Sequence, residues 1–84
     1  KTDRGRVLIR FGRPTNIETY PANKNRYSYE IWHYDDSDDG FIFVFINNDA
    51  VSMYEQIHSN HPDEFQNYRW KDMVVRESTN LINF

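Results

Sequence analysis

Phe41-Ile42-Phe43-Val44-Phe45-Ile46 is an unbroken apolar run in which every residue is β-branched or aromatic. A strand turns alternate side chains to opposite faces, so Phe41, Phe43 and Phe45 point one way and Ile42, Val44 and Ile46 the other. Both faces are apolar, which marks a central strand covered on two sides. Upstream, Tyr27 to Tyr34 reads as another strand of aromatic and β-branched residues. The run Asp35-Asp36-Ser37-Asp38-Asp39-Gly40 between them supplies turn chemistry, so the two strands form a hairpin. Setting Tyr34 opposite Phe41 places Trp32 beside Phe43 and Ile31 beside Val44. One face then carries Glu30, Trp32, Tyr34, Phe41, Phe43 and Phe45; the other carries Tyr29, Ile31, His33, Ile42, Val44 and Ile46. A slip of one residue would exchange the two faces.

Working outward, Asn47-Asn48-Asp49-Ala50 is a second polar turn, and Val51 to His58 reads as a further strand. Beyond it, Ser59 or Asn60 is placed to cap a helix from about Pro62 to Val75, with Asp63 and Glu64 where the helix dipole favours carboxylates. Phe65, Tyr68, Arg69, Trp70, Met73 and Val74 form its broad inward stripe, with Lys71 and Asp72 toward water. Its expected seat is the aliphatic face, where Phe65, Met73 and Val74 would cover Ile31, Val44 and Ile46. Toward the start of the chain, Arg6 to Phe11 alternates as a first strand with Val7, Ile9 and Phe11 on one face, and Gly12 and Pro14 stop it. Thr15 to Tyr20 reads as a short helical turn capped by Thr15 or Asn16 and ended by Pro21, and Asn23-Lys24-Asn25 is loop. The expectation is α+β: a mostly antiparallel sheet of about four strands with a C-terminal helix packed on one face. Residues 1–75 make one domain, and 76–84 an extended or frayed tail.

Composition narrows the function. A chain of 84 residues buries only about 60–65% of the surface its unfolded form exposes. Its ten Lys and Arg form no cluster and are outnumbered by thirteen Asp and Glu, for a net charge of −3, which argues against a nucleic-acid partner. No apolar run approaches the ~20 residues that cross a bilayer, so no membrane insertion is expected of this segment, and its start does not read as a signal peptide. With no cysteine there is neither a disulfide framework nor a thiolate site. Six Phe, six Tyr and two Trp supply more aromatic surface than one small core is expected to hide.

The opening Thr2-Asp3-Arg4-Gly5-Arg6-Val7-Leu8-Ile9-Arg10-Phe11-Gly12-Arg13-Pro14 resembles the signature of the GWxTD domain family, in which Gly-Trp-x-Thr-Asp runs into a strand and a Gly-x-Pro turn. Lys1 stands at the x position, and the preceding Gly and Trp fall outside the chain, as expected of a domain cut from a longer protein. The likeness continues through Tyr29-Glu30-Ile31-Trp32, the Phe-rich strand and Ile57-His58-Ser59, about three quarters of the chain. Departures are Arg13, where Pro is more usual, and Thr15-Asn16, where the family tends to be acidic. The resemblance implies an exported bacterial protein, periplasmic or associated with the cell envelope, with other domains attached and no established activity. A looser pattern, Gly-x-Pro before a Trp-x-Tyr strand, is similar to the small α+β domains of outer-membrane assembly lipoproteins, an analogy of fold alone.

Three groups of residues invite a chemical reading. The acidic turn Asp35 to Gly40 matches the first half of a calcium loop, but Ile46 stands where a bidentate Glu is required, and a solvated hairpin turn is the ordinary reading. His58, His61 and Glu64 have metal-like spacing yet straddle a strand end and a helix start, so turn and cap roles are expected and no metal. Glu30 is the one candidate acid, and an ion pair with Arg10 explains it as well as catalysis does. Serines lie in no nucleophile pattern, no phosphate loop exists and no cofactor is implied, so no enzyme is expected. The favoured reading is a non-catalytic interaction module whose partner is another domain of the parent chain or another protein. Its expected binding patch is Trp32, Tyr34, Phe43 and Tyr54, unless residues 17–22 or the tail ending in Leu81 and Phe84 fold back over it. The rival is a small-ligand or glycan-binding domain that stacks sugars on Trp32 and Tyr34.

Overall fold

The computed structural model describes residues 2–35, 40–48 and 53–76. A helix α1 (Asp3–Phe11) is followed by four strands, β1 (Asn16–Tyr20), β2 (Ser28–Tyr34), β3 (Phe41–Asn47) and β4 (Glu55–Ser59), and by a short helix α2 (Trp70–Val74). The fold is α+β. Its strands form one antiparallel meander in the order β1-β2-β3-β4. In the central hairpin Tyr34 pairs with Phe41, Trp32 with Phe43 and Ile31 with Val44, the register set by keeping both faces of β3 apolar. Two cores result, one on each side of the sheet. Val7, Trp32, Tyr34, Phe43 and Phe45 make the first, and Val44, Ile46, Ile57, Trp70 and Val74 the second.

The first segment departs from its expected form. Arg6 to Phe11 is the body of α1 and not a strand. Thr2 is extended and its Oγ1 accepts the Gly5 N–H at 2.9 Å, Asp3 lies in the positive first turn, and Gly12 closes the helix at φ 79 with its N–H on Leu8 O. Those caps outweigh the β preference of Val7 and Ile9, which is a weak and context-dependent term. Helical spacing then brings Val7 and Phe11 onto one side and turns Ile9 away. Val7 is fully buried, while Ile9 is 90% exposed. The Phe11 ring lies 5.0 Å from Phe43 and 6.0 Å from Tyr34, and the Tyr34 hydroxyl donates to Gly12 O at 2.8 Å.

Residues 16–20 form β1 and not a helical turn. The residue expected to cap that turn is used across the sheet: Thr15 N–H donates to His33 O, and Thr15 Oγ1 accepts from Asp35 N–H. A further strand lies beside β3 as expected, but with an irregularity between Val44 and Phe45, where the pairing moves from His58 to Gln56 and leaves Ile57 as the extra residue of a bulge. The bulge sets Ile57 and the neighbouring His58 on the same side, within the aliphatic core and against Trp70.

The long helix expected over 62–75 does not form. Its intended caps are committed to the start of β3, where Asn60 Oδ1 accepts the Ile42 N–H and Ser59 Oγ donates to Ile42 O while accepting the His61 N–H. Pro62 and Asp63 turn, Glu64 N–H returns to His61 O, and helical geometry is confined to the five residues of α2. Trp70 and Val74 reach the aliphatic core, whereas Phe65 and Met73, expected as its lid, are exposed. Val74 O accepts the Tyr27 N–H at 2.8 Å, which ties the end of α2 to the start of β2. Beyond Arg76, the expected tail lies outside the described residues, as do Val51 and Ser52 of the expected fourth strand.

Helix and strand readings of residues 6–11 predict different mutational costs. Val7→Ala is expected to lower stability by about 1–3 kcal/mol through lost burial and the cavity left behind. Ile9→Ala should change it by no more than about 0.5 kcal/mol. Urea midpoints of the two variants measure this, and equal losses would restore the strand.

Candidate interaction surface

The aromatic residues singled out for binding lie mostly in the interior. Trp32 is 4% exposed, Tyr34 is buried and Phe43 fully so, because α1 covers the face on which they stand. Tyr54 is half-buried under the Arg4 guanidinium, 4.2 Å from its ring centre, and its hydroxyl donates to Ser28 Oγ. The four residues therefore belong to or border the first core and present no open patch. Glu30, on the same face, accepts from Trp32 Nε1 at 3.0 Å and pairs with Arg4 at 3.3 Å, so its basic partner is Arg4 and not Arg10.

Arg10 and Arg6 are drawn elsewhere. Both reach Glu64, Arg10 Nη1 at 2.8 Å and Arg6 Nη2 at 3.2 Å, and Gln56 Nε2 donates to the same carboxylate at 3.0 Å. Arg10 also lies 3.5 Å from Asp63, and Arg6 donates to Gln56 Oε1. Burial alone would raise the Glu64 pKa; hydrogen bonds from Arg6 and Gln56, with the charges of Arg6 and Arg10, outweigh it and hold the carboxyl below its ordinary range. This network fastens α1 to the segment after β4. Sequence reasoning missed it, because partners 54 and 58 residues apart leave no local pattern.

His58, His61 and Glu64 are not assembled into a site. His58 is buried, its Nδ1 accepts the Asn67 N–H at 2.9 Å, and burial lowers its pKa. His61 Nδ1 accepts the Asp63 N–H, and its ring lies against Phe11 and Phe41. His33 has its Nε2 3.4 Å from Glu18 Oε2, a contact without hydrogen-bond geometry. Among the described residues no three His, Asp or Glu side chains are grouped to hold a metal ion. The acidic turn read as a partial calcium loop has residues 36–39 outside the described set.

Among the described residues, large apolar side chains stand in water at Leu8, Ile9, Ile17 and Met53 and along residues 65–75, where the two aromatic ones lie. Phe65 and Tyr68 are each 68% exposed, and Met73 and Val75 are exposed further along the same stretch, with Arg69, Lys71 and Asp72 around them. Tyr68 leans edge-on against His58 at 4.6 Å, and Met73 Sδ accepts from Asn67 Nδ2, so both are held at the surface by neighbours in the chain. Beside α1, Thr2, Asp3, Arg6, Ile9 and Arg10 line a groove of about 450 Å³. Among the described residues no helix is long and apolar enough to cross a membrane. Comparison of the chain with protein-family models, curated proteins and solved structures finds no match.

Two titrations should be visible in stability. His58 has a depressed pKa, so its contribution is complete above its unfolded value of 6.5 and is lost as pH falls through the lower folded value. Glu64, also depressed, contributes above its unfolded value of 4.5 and loses that contribution as pH falls further. Melting temperature is expected to decline in two stages on acidification. His58→Gln should flatten the first stage and Glu64→Gln part of the second. Unchanged pH profiles in both variants would contradict these assignments.

Proposed function

We propose that this domain is a non-catalytic interaction module of an exported bacterial multidomain protein, and that residues 65–75 carry its contact surface. The observation behind this reading is the pair Phe65 and Tyr68, two large aromatic side chains in water on a segment whose Trp70 and Val74 are anchored in the core. Aromatic residues and Met are enriched at protein interfaces, and Phe65, Tyr68 and Met73 stand exposed along this one stretch. The segment is short and irregular but is fixed at both ends, by Glu64 to α1 and by Val74 to β2, so a partner meets a surface already in position. Export and attachment to further domains are taken from the resemblance of residues 2–14 to the GWxTD signature. The partner is then another domain of the parent chain or a separate protein.

A glycan-binding reading has less behind it, since Trp32 and Tyr34, its stacking platforms, are core residues.

Photocrosslinking in the parent protein tests the surface. A photoreactive residue at position 68 is expected to give a discrete crosslinked product, with the same probe at exposed Lys24 giving none. No product at 68, or the same product at both positions, would contradict the proposal.

A further inference from the structure

The two edges of the sheet are treated differently. At the β4 edge, Gln56 N–H is taken by Asp3 Oδ2 of α1 at 2.7 Å, and the bulge at Ile57 interrupts the strand. Both are devices that keep an edge from pairing with another chain. At the other end β1 pairs with β2 throughout Asn16–Tyr20, and no described residue pairs with its outer edge. Within β1 there is no lysine, proline or bulge to block a new strand. Pro14 and Pro21 lie just outside, so the pairable length is these five residues.

From this contrast we infer that β1 is a docking edge that takes up an extended segment of another polypeptide, paired antiparallel, with a basic residue opposite Glu18 and β-branched residues opposite Ile17 and Thr19. Side-chain chemistry selects the occupant. Ile17 is exposed and, with Thr19, stands on the Trp32 side of the sheet, where cross-strand contacts favour β-branched partners. Glu18 stands on the opposite side at the centre of the strand, with its carboxylate partly open to solvent beside His33 and the Tyr20 hydroxyl. A Lys or Arg on the incoming strand meets that carboxylate directly. A second copy of this chain does not: the antiparallel register that keeps all five residues paired sets Glu18 against Glu18, and like charges directly opposite are unfavourable.

The inference rests on the interaction-module reading but not on the surface of residues 65–75, so the two experiments fail separately. The probe is the capped peptide Thr-Val-Lys-Val-Thr, titrated to millimolar concentration into the 15N-labelled full chain, since so short a strand binds weakly. Amide shifts confined to residues 16–20 and their β2 partners are expected. Replacing the peptide's Lys by Glu should weaken binding about tenfold or more, and the Glu18→Lys variant should reverse the preference. Backbone N-methylation of the peptide should abolish the shifts. Absence of shifts in β1 with the Lys peptide overturns the proposal, as does equal binding of the Glu or N-methylated peptide. Concentration-dependent shifts of β1 in the protein alone would assign the edge to a second copy and overturn it equally.

Discussion

A hairpin that is apolar on both faces has to be dried on both, and the face bearing Trp32, Tyr34, Phe43 and Phe45 is the more demanding because its side chains are larger. The chain meets that demand with its first nine helical residues. Val7 and Phe11 supply the apolar contact, and the helix is held in place by polar ties at both ends: Asp3 to the Gln56 amide, Arg4 to Glu30, and Arg6 with Arg10 to Glu64. The last of these has consequences beyond α1. With Glu64 held by two arginines, and Ser59 and Asn60 holding the start of β3, residues 61–69 turn back along the sheet in an irregular path. Helix resumes only at Trp70, where the aliphatic core needs a side chain.

The central hairpin was legible because its signal is local and redundant. Six apolar residues without interruption fix the strand, and the short connection leaves one register that sorts aromatic from aliphatic side chains. The ends of the chain carried no such signal. Val7, Ile9 and Phe11 fit strand spacing as well as Val7 and Phe11 fit helical spacing, and the arbiters were Thr2, Gly5 and Gly12, whose capping roles are readable only once a helix is considered. Thr15, Ser59 and Asn60 are good cap residues by type, yet each spends its side chain on a strand. Cap signals name residues that hydrogen-bond nearby backbone, and a strand end offers such backbone as readily as a helix does.

The aromatic surplus was also visible in composition, but its location was not. Tilted and edge-on ring contacts absorb Phe11, Tyr34 and Phe43 on one face and Tyr29 and Trp70 on the other. Among the described residues, the aromatic side chains left exposed are Phe65 and Tyr68, which helical periodicity had turned inward. The candidate surface thus follows from the same event that fixed the fold: α1 displaced the expected binding patch into the core, and the loss of the long helix brought two other aromatic rings to the surface. Periodicity assigns faces correctly only where the element itself persists.

The dependence of the fold on α1 is most directly tested by nuclear Overhauser contacts in the intact chain. Cross-peaks are predicted between the ring protons of Phe11 and those of Phe43 and Tyr34, with the Ile9 methyl groups showing none to any ring of the sheet. Ring contacts from Ile9 alongside Val7, together with the absence of the Phe11 to Phe43 cross-peak, would contradict the account, since that pattern belongs to a strand.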